Sequence, residues 1–186
     1  MTQVFLVDNS TRMRKFRYLS TFIVETLAMK LGGIDKDGLD LMFTLGEGTY
    51  DIRRAKTDAP DRFKTAMTKA WPGSDFHSIA TDMSHTLGQI FSNYLSRLQK
   101  KRTTLLIVTD GVWDGPTPKN RKGEMEVDKV ETTIVDFIDK MEGIRLLEKK
   151  YFTIQFIRVG DEKNAAERLQ RFDDDLEKIY EKKKVP

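Results

Sequence analysis

Cysteine is absent from the 186 residues. That absence excludes a disulfide scaffold, a thiolate zinc site and a cysteine nucleophile. It also favours a reducing, intracellular compartment. Histidine is scarce: His77 and His85 stand alone, too few partners for a histidine-rich zinc site or a catalytic triad. No apolar run approaches the roughly 20 residues that a membrane span needs. The opening residues Met1 to Leu6 lack the basic stretch and small-residue cleavage site of a secretory leader. Charge of one sign is lacking too, since 32 Lys+Arg face 29 Asp+Glu for a net +3. No aromatic-interleaved basic stripe accompanies that small excess, so nucleic acid is not an expected partner. The glycines form neither a Gly-x-Gly-x-x-Gly nor a Walker pattern, which removes a phosphate cradle. Internal repeats and low-complexity tracts are missing as well. The length is expected to make one domain, residues 1–186, large enough for a core without staples.

What is present is alternation. Gln3 to Val7 and Thr103 to Thr109 are runs of strand length built on consecutive apolar residues, as expected of strands buried on both faces. Leu39 to Leu45 and Tyr151 to Val159 read as further strands. Thr49 to Ala55, more polar and following the Gly46-Glu47-Gly48 turn, reads as an antiparallel edge strand. Between them lie helical patterns: about Arg14 to Leu31, with Phe16, Leu19, Ile23 and Leu27 on one face; about Asp58 to Ala70; and Thr81 or Asp82 to Lys100. Two more run over Val127 to Ile144 and from Ala165 to the Lys182-Lys183-Lys184 end. Strands and helices in turn predict an α/β fold: a Rossmann-like three-layer sandwich with a mostly parallel central sheet and helices on both faces.

In open α/β sheets, ligands bind beyond the carboxyl ends of the strands. Here those ends carry Asp8-Asn9-Ser10, Asp110-Gly111 and Gly160-Asp161, and Ser78 to Asp82 leads into a helix. Hydroxyls from Ser10 and Thr81, with the carboxylates of Asp8 and Asp110, are hard oxygen donors of the kind magnesium accepts. Taken singly, Ser10 and Thr81 read equally well as helix caps and Asp110 as the start of a turn. Their convergence at one sheet edge is what suggests a site. Trp113 and Asp114 follow Asp110 on the same loop. Trp113 suits either a partner-anchoring rim or packing over the sheet end. The Asp173-Asp174-Asp175 run fans round a helical pattern and reads as a solvated face.

The segments Phe5-Leu6-Val7-Asp8-Asn9-Ser10-Thr11-Arg12, Ala80-Thr81-Asp82 and Ile107-Val108-Thr109-Asp110-Gly111 resemble a von Willebrand factor A-type (vWA) domain in order and spacing over nearly the whole chain. The ending Phe156 to Asp161, with Arg168-Leu169 and Phe172-Asp173-Asp174, is similar to that of intracellular fungal vWA proteins. The resemblance implies a metal-ion-dependent adhesion site with Asp8, Ser10, Thr81 and Asp110 around Mg2+ or Mn2+. It also implies a non-enzymatic role, in which an acidic side chain of a partner protein completes the coordination.

One position departs from the family pattern. Arg12 stands where a second serine is expected. In an extended loop, residues 10 and 12 would point the same way, so Thr11 would not replace the lost hydroxyl. A guanidinium beside two carboxylates pairs with them and repels a dication. Either Arg12 turns to solvent and the metal binds weakly, or Arg12 lies over Asp8 or Asp110 and replaces it. A second class of function is a metal-assisted hydrolase of haloacid-dehalogenase type with Asp8 as nucleophile. Such an enzyme needs a second Asp two residues on, where Ser10 stands.

Overall fold

The computed structural model describes residues 2–31, 39–46, 49–51, 59–71, 81–97, 101–113, 128–144 and 151–184. They fall into two compact units, between which the chain alternates. The first comprises Met1–Thr81, Lys101–Asp110 and Phe152–Gly160; the second comprises Asp82–Lys100, Gly111–Tyr151 and Asp161–Pro186.

The first unit is built on a sheet. Its strands are β1 (Thr2–Val7), β2 (Leu39–Phe43), β3 (Thr49–Asp51), β4 (Thr103–Thr109) and β5 (Phe152–Arg158), in spatial order β3-β2-β1-β4-β5. β2, β1, β4 and β5 run parallel, and β3 pairs with β2 in the opposite sense. Every residue of β1 is buried, the apolar Val4 to Val7 and also the polar Thr2 and Gln3, as expected of a central strand. Val7 stands opposite Phe43 on one side and Val108 on the other. The residues that follow those three positions therefore leave the sheet side by side. The spatial order reverses direction between β1 and β4, so this edge is the topological switch point.

A 3-10 turn over Arg12–Phe16 leads into α1 (Arg17–Leu31), and α2 (Ala59–Lys69) packs beside α1. Val24 and Ala28 of α1 join Phe63 and Met67 of α2 on Phe5, Val7, Leu41 and Val108 of the sheet. Phe5 meets Phe63 edge-on, with ring centres 5.5 Å apart. The core-facing stripe of α1 is Ser20, Val24 and Ala28, with Ile23 and Leu27 partly buried beside it. Leu19, expected on that stripe, is exposed instead. Small residues at 20 and 28 let the helix backbone approach the sheet, which turns the helix away from the spacing its larger side chains suggest.

The second unit is helical. α3 (Met83–Ser96), α4 (Lys129–Gly143) and α5 (Lys163–Lys184) pack in sequence, α3 on α4 and α4 on α5. Phe91 and Phe137 stack with ring centres 4.0 Å apart, and Tyr94 meets Phe137 edge-on. α4 begins with a capping box: Asp128 accepts from the Val130 N–H, and the Glu131 carboxylate reaches back to the Asp128 N–H.

Candidate carboxyl-edge site

Asp8, Ser10, Arg12, Thr81 and Asp110 all belong to the first unit. Asp8 leaves β1 with its N–H on the Val108 carbonyl, which continues the sheet one residue further. Its side chain is fully buried. Oδ1 accepts from the Thr81 hydroxyl at 2.7 Å and from the Ser10 N–H at 3.0 Å. Oδ2 accepts from the Thr109 hydroxyl at 3.0 Å. Burial raises the Asp8 pKa above its ordinary value of 3.8, and the bonds from Thr81, Ser10 and Thr109 oppose that rise.

Thr44, just past β2, completes the ring. Its hydroxyl lies 3.2 Å from Asn9 Oδ1, 3.4 Å from Thr81 Oγ1 and 3.5 Å from Asp8 Oδ1, and it accepts from the Asn9 N–H at 3.3 Å. One hydroxyl has one proton, so Thr44 serves one acceptor at a time. Asn9 fastens the loop from below. Its amide donates to the carbonyls of Leu45 and Ala70, and its oxygen accepts from the Leu45 N–H at 2.8 Å. The ends of β1, β2 and α2 are thus tied through one side chain.

The cap readings of Ser10 and Thr81 do not hold. Asp82 caps α3 by accepting from the His85 N–H, which leaves the Thr81 hydroxyl to Asp8. Ser10 caps nothing: its Oγ is buried without hydrogen-bond geometry to any partner, although it lies close enough to help hold the Asp8 charge. Nor is the loop extended. Thr11 is helical in its backbone, and the Met13 N–H bonds the Ser10 carbonyl. The expectation that positions 10 and 12 point together from an extended strand is therefore corrected. Arg12 opens the 3-10 turn, and its Nε lies 3.4 Å from Asp110 Oδ2. That bond is long and single, with the Arg12 side chain 46% exposed and that of Asp110 4% exposed.

Asp114 lies outside the described residues. Trp113, offered as rim or packing, is packed. Its ring is 1% exposed and lies 6.3 Å from the Phe172 ring, with the Arg168 guanidinium 5.1 Å from its centre. Arg168 also donates to the carbonyls of Gly111 and Trp113, and its Nε stands 2.9 Å from Asp128 Oδ2. In the second unit one buried arginine thus holds Gly111, Trp113 and Asp128. His85 is exposed, and its Nε2 sits 3.0 Å from the Gln89 amide.

Chemically, the edge offers hydroxyls more than charges. Among the described residues, no three His, Cys, Asp or Glu side chains gather as a metal-binding group. The orphan Ser10 Oγ and the Thr81 Oγ1, whose proton is given to Asp8, have lone pairs that suit a hard cation. The Arg12 charge beside Asp110 opposes one. Both Asp8 oxygens accept from neighbouring donors, Oδ1 from Thr81 and Ser10 and Oδ2 from Thr109. The site residues missed in the sequence are Thr44 and Thr109. Both read as ordinary strand residues, and their one signal is a hydroxyl in the last position beside an acid-bearing loop.

No family model matches the chain, and no curated protein matches its sequence. Among solved structures, it is similar to the pilus adhesin SpaC of Lactobacillus rhamnosus GG in its open conformation. The TM-score is 0.50 at 12% identity, over 97% of this chain and 30% of the adhesin. It thus spans under a third of that protein's length. Lower scores join it to BatB from Bacteroides thetaiotaomicron (0.45, 11% identity, 96% of this chain and 99% of that one). They also join it to a von Willebrand factor type A protein from Catenulispora acidiphila (0.44, 15% identity, 96% and 41%). At 12% identity the likeness to the adhesin is one of fold. Among the described residues, no helix is long and apolar enough to cross a membrane.

Proposed function

We propose that this chain is a non-enzymatic protein-binding module of the vWA type, acting as one domain inside the cell through the carboxyl edge of its sheet. Its partner offers an acidic side chain. The guanidinium of Arg12 takes much of the part that a divalent cation plays in the family. The observation that carries this reading is the single, half-exposed contact between Arg12 and the buried Asp110. One long bond leaves most of the guanidinium donors facing outward, where a partner carboxylate can take two of them in parallel.

Should Mg2+ or Mn2+ bind, Ser10, Thr81, Asp110 and Asp8 would hold it, directly or through water. The ion would supply an electrophilic centre for the same carboxylate. The hydroxyl donors fit such an ion, and the arginine charge weakens it. Crystals grown in millimolar manganese test the reading. In the wild type, Arg12 is expected over Asp110 with no strong anomalous peak between Ser10 and Thr81; in Arg12→Ser, a peak is expected there. A strong wild-type peak, with Arg12 turned to solvent, would contradict it.

A further inference from the structure

α1 is apolar on two sides. One side, through Val24 and Ala28, belongs to the core. The opposite side carries Tyr18, Phe22 and Met29, which are 74%, 65% and 61% exposed, with Leu19 beside them at 46%. At 100° per residue, positions 18, 22 and 29 fall within 40° of one another, so they form one stripe along the helix. Single exposed apolar side chains need no explanation, but three large ones on one side of a helix, interrupted by Glu25, mark a surface that binds something. A helix that is apolar on both sides expects cover on both.

The charges around the stripe choose the cover. Arg14, Lys15 and Arg17 stand at its amino end, and Lys30 at its carboxyl end. Arg17 lies 4.5 Å over the Tyr18 ring and donates to its hydroxyl, which holds a cation at the edge of the apolar surface. α2, packed beside α1, adds exposed Arg62, Lys64 and Lys69 against Asp61. A second copy of the chain is a poor occupant, because pairing two such helices in either direction sets positive ends against positive ends. An anionic membrane is poor for a different reason. Glu25 lies within the stripe, between Phe22 and Met29, where insertion would press a carboxylate into the lipid surface.

We propose that the outward face of α1 docks an acidic amphipathic helix of a partner protein. Its apolar side chains lie on Tyr18, Phe22 and Met29, its carboxylates meet Arg14, Lys15, Arg17 and Lys30 at the two ends, and an uncharged or basic position faces Glu25. This face is separate from the Arg12 contact and does not rest on it. The test is a selection of helix-forming peptides from a display library against the whole protein. It is followed by affinity measurements on wild type, Phe22→Ser, Arg14→Glu/Lys15→Glu and Arg12→Ala. Because Phe22 is exposed, Phe22→Ser is expected to keep the wild-type melting temperature. Arg14 and Lys15 are exposed too, so the double variant gives a second reading if Phe22→Ser misfolds.

Selected peptides are expected to be acidic and amphipathic, to lose at least about tenfold in affinity with Phe22→Ser and with the double charge reversal, and to bind Arg12→Ala within about twofold. Peptides that are neutral or basic, or that bind every variant alike, would overturn the proposal. So would dimerisation seen by sedimentation and abolished by Phe22→Ser. Binding to phosphatidylserine vesicles lost in the same variant would overturn it as well.

Discussion

Asp8 is buried, and the groups that accept its charge are dipoles: the hydroxyls of Thr81 and Thr109 and the amide of Ser10. Each such donor matters because a buried carboxylate deprived of one has no water to replace it. Thr81→Val, which keeps the side-chain shape and removes the shortest of these bonds, is expected to lower unfolding stability by about 1–3 kcal/mol. Urea denaturation measures it; a loss near zero would mean that Asp8 finds another donor. Asp8, Ser10, Thr81 and Asp110 were legible in the sequence because each follows a strand or precedes a helix at the same sheet edge. Thr44 and Thr109 were not, since a threonine at a strand end satisfies strand propensity and site chemistry alike. The sequence leaves Trp113 open for a related reason. An aromatic after a ligand loop suits a rim or a core equally well, and only its burial against Phe172 and Arg168 decides.

Among the elements, the buried strands were the most legible. Thr103–Thr109 is a strand over the very residues predicted for it from their apolar centre, Leu105 to Val108. The backbone of residues 10–12 was the least legible, because nothing in Ser-Thr-Arg distinguishes an extended loop from a 3-10 start. The α4 cap was missed although Asp128 and Glu131 have the spacing of a capping box. Its chemistry has a pH signature. Glu131 is buried, which raises its pKa above the ordinary 4.5, while the Asp128 amide and the Arg171 guanidinium, 2.6 Å away, oppose the rise. The folded chain therefore holds the Glu131 proton more tightly than the unfolded chain does. Its contribution to stability is fullest below the unfolded value and is lost as pH rises through the folded one. Glu131→Gln cannot ionise. Its unfolding free energy is expected to fall less than that of the wild type between about pH 4 and about pH 7, in urea titrations at several pH values. Parallel curves for the two proteins would refute the assignment to Glu131.

At the scale of the whole molecule, the small net charge conceals a division of labour. Positive side chains stand at the two ends of the exposed apolar face of α1, while the sheet edge is hydroxyl-rich and holds one arginine against a buried acid. The mixed α/β fold and its parallel sheet followed from the alternation of apolar runs and helical periods; the split into two compact units did not. A chain that crosses repeatedly between units leaves no linker composition to read. The burial of Asp8 and Asp110 at the edge also predicts chemistry. A generic phosphate ester is expected to show no turnover with the protein, with or without magnesium, and turnover lost in Asp8→Asn would restore the hydrolase reading.

The central claim is that Arg12 weakens the edge for a dication by its charge. Calorimetric titration of Mn2+ into wild type and Arg12→Ser tests it most directly. Binding is expected to be weak or undetectable in the wild type and at least about tenfold tighter in Arg12→Ser, a difference of about 1.4 kcal/mol or more. Equal, tight binding in both proteins would contradict it.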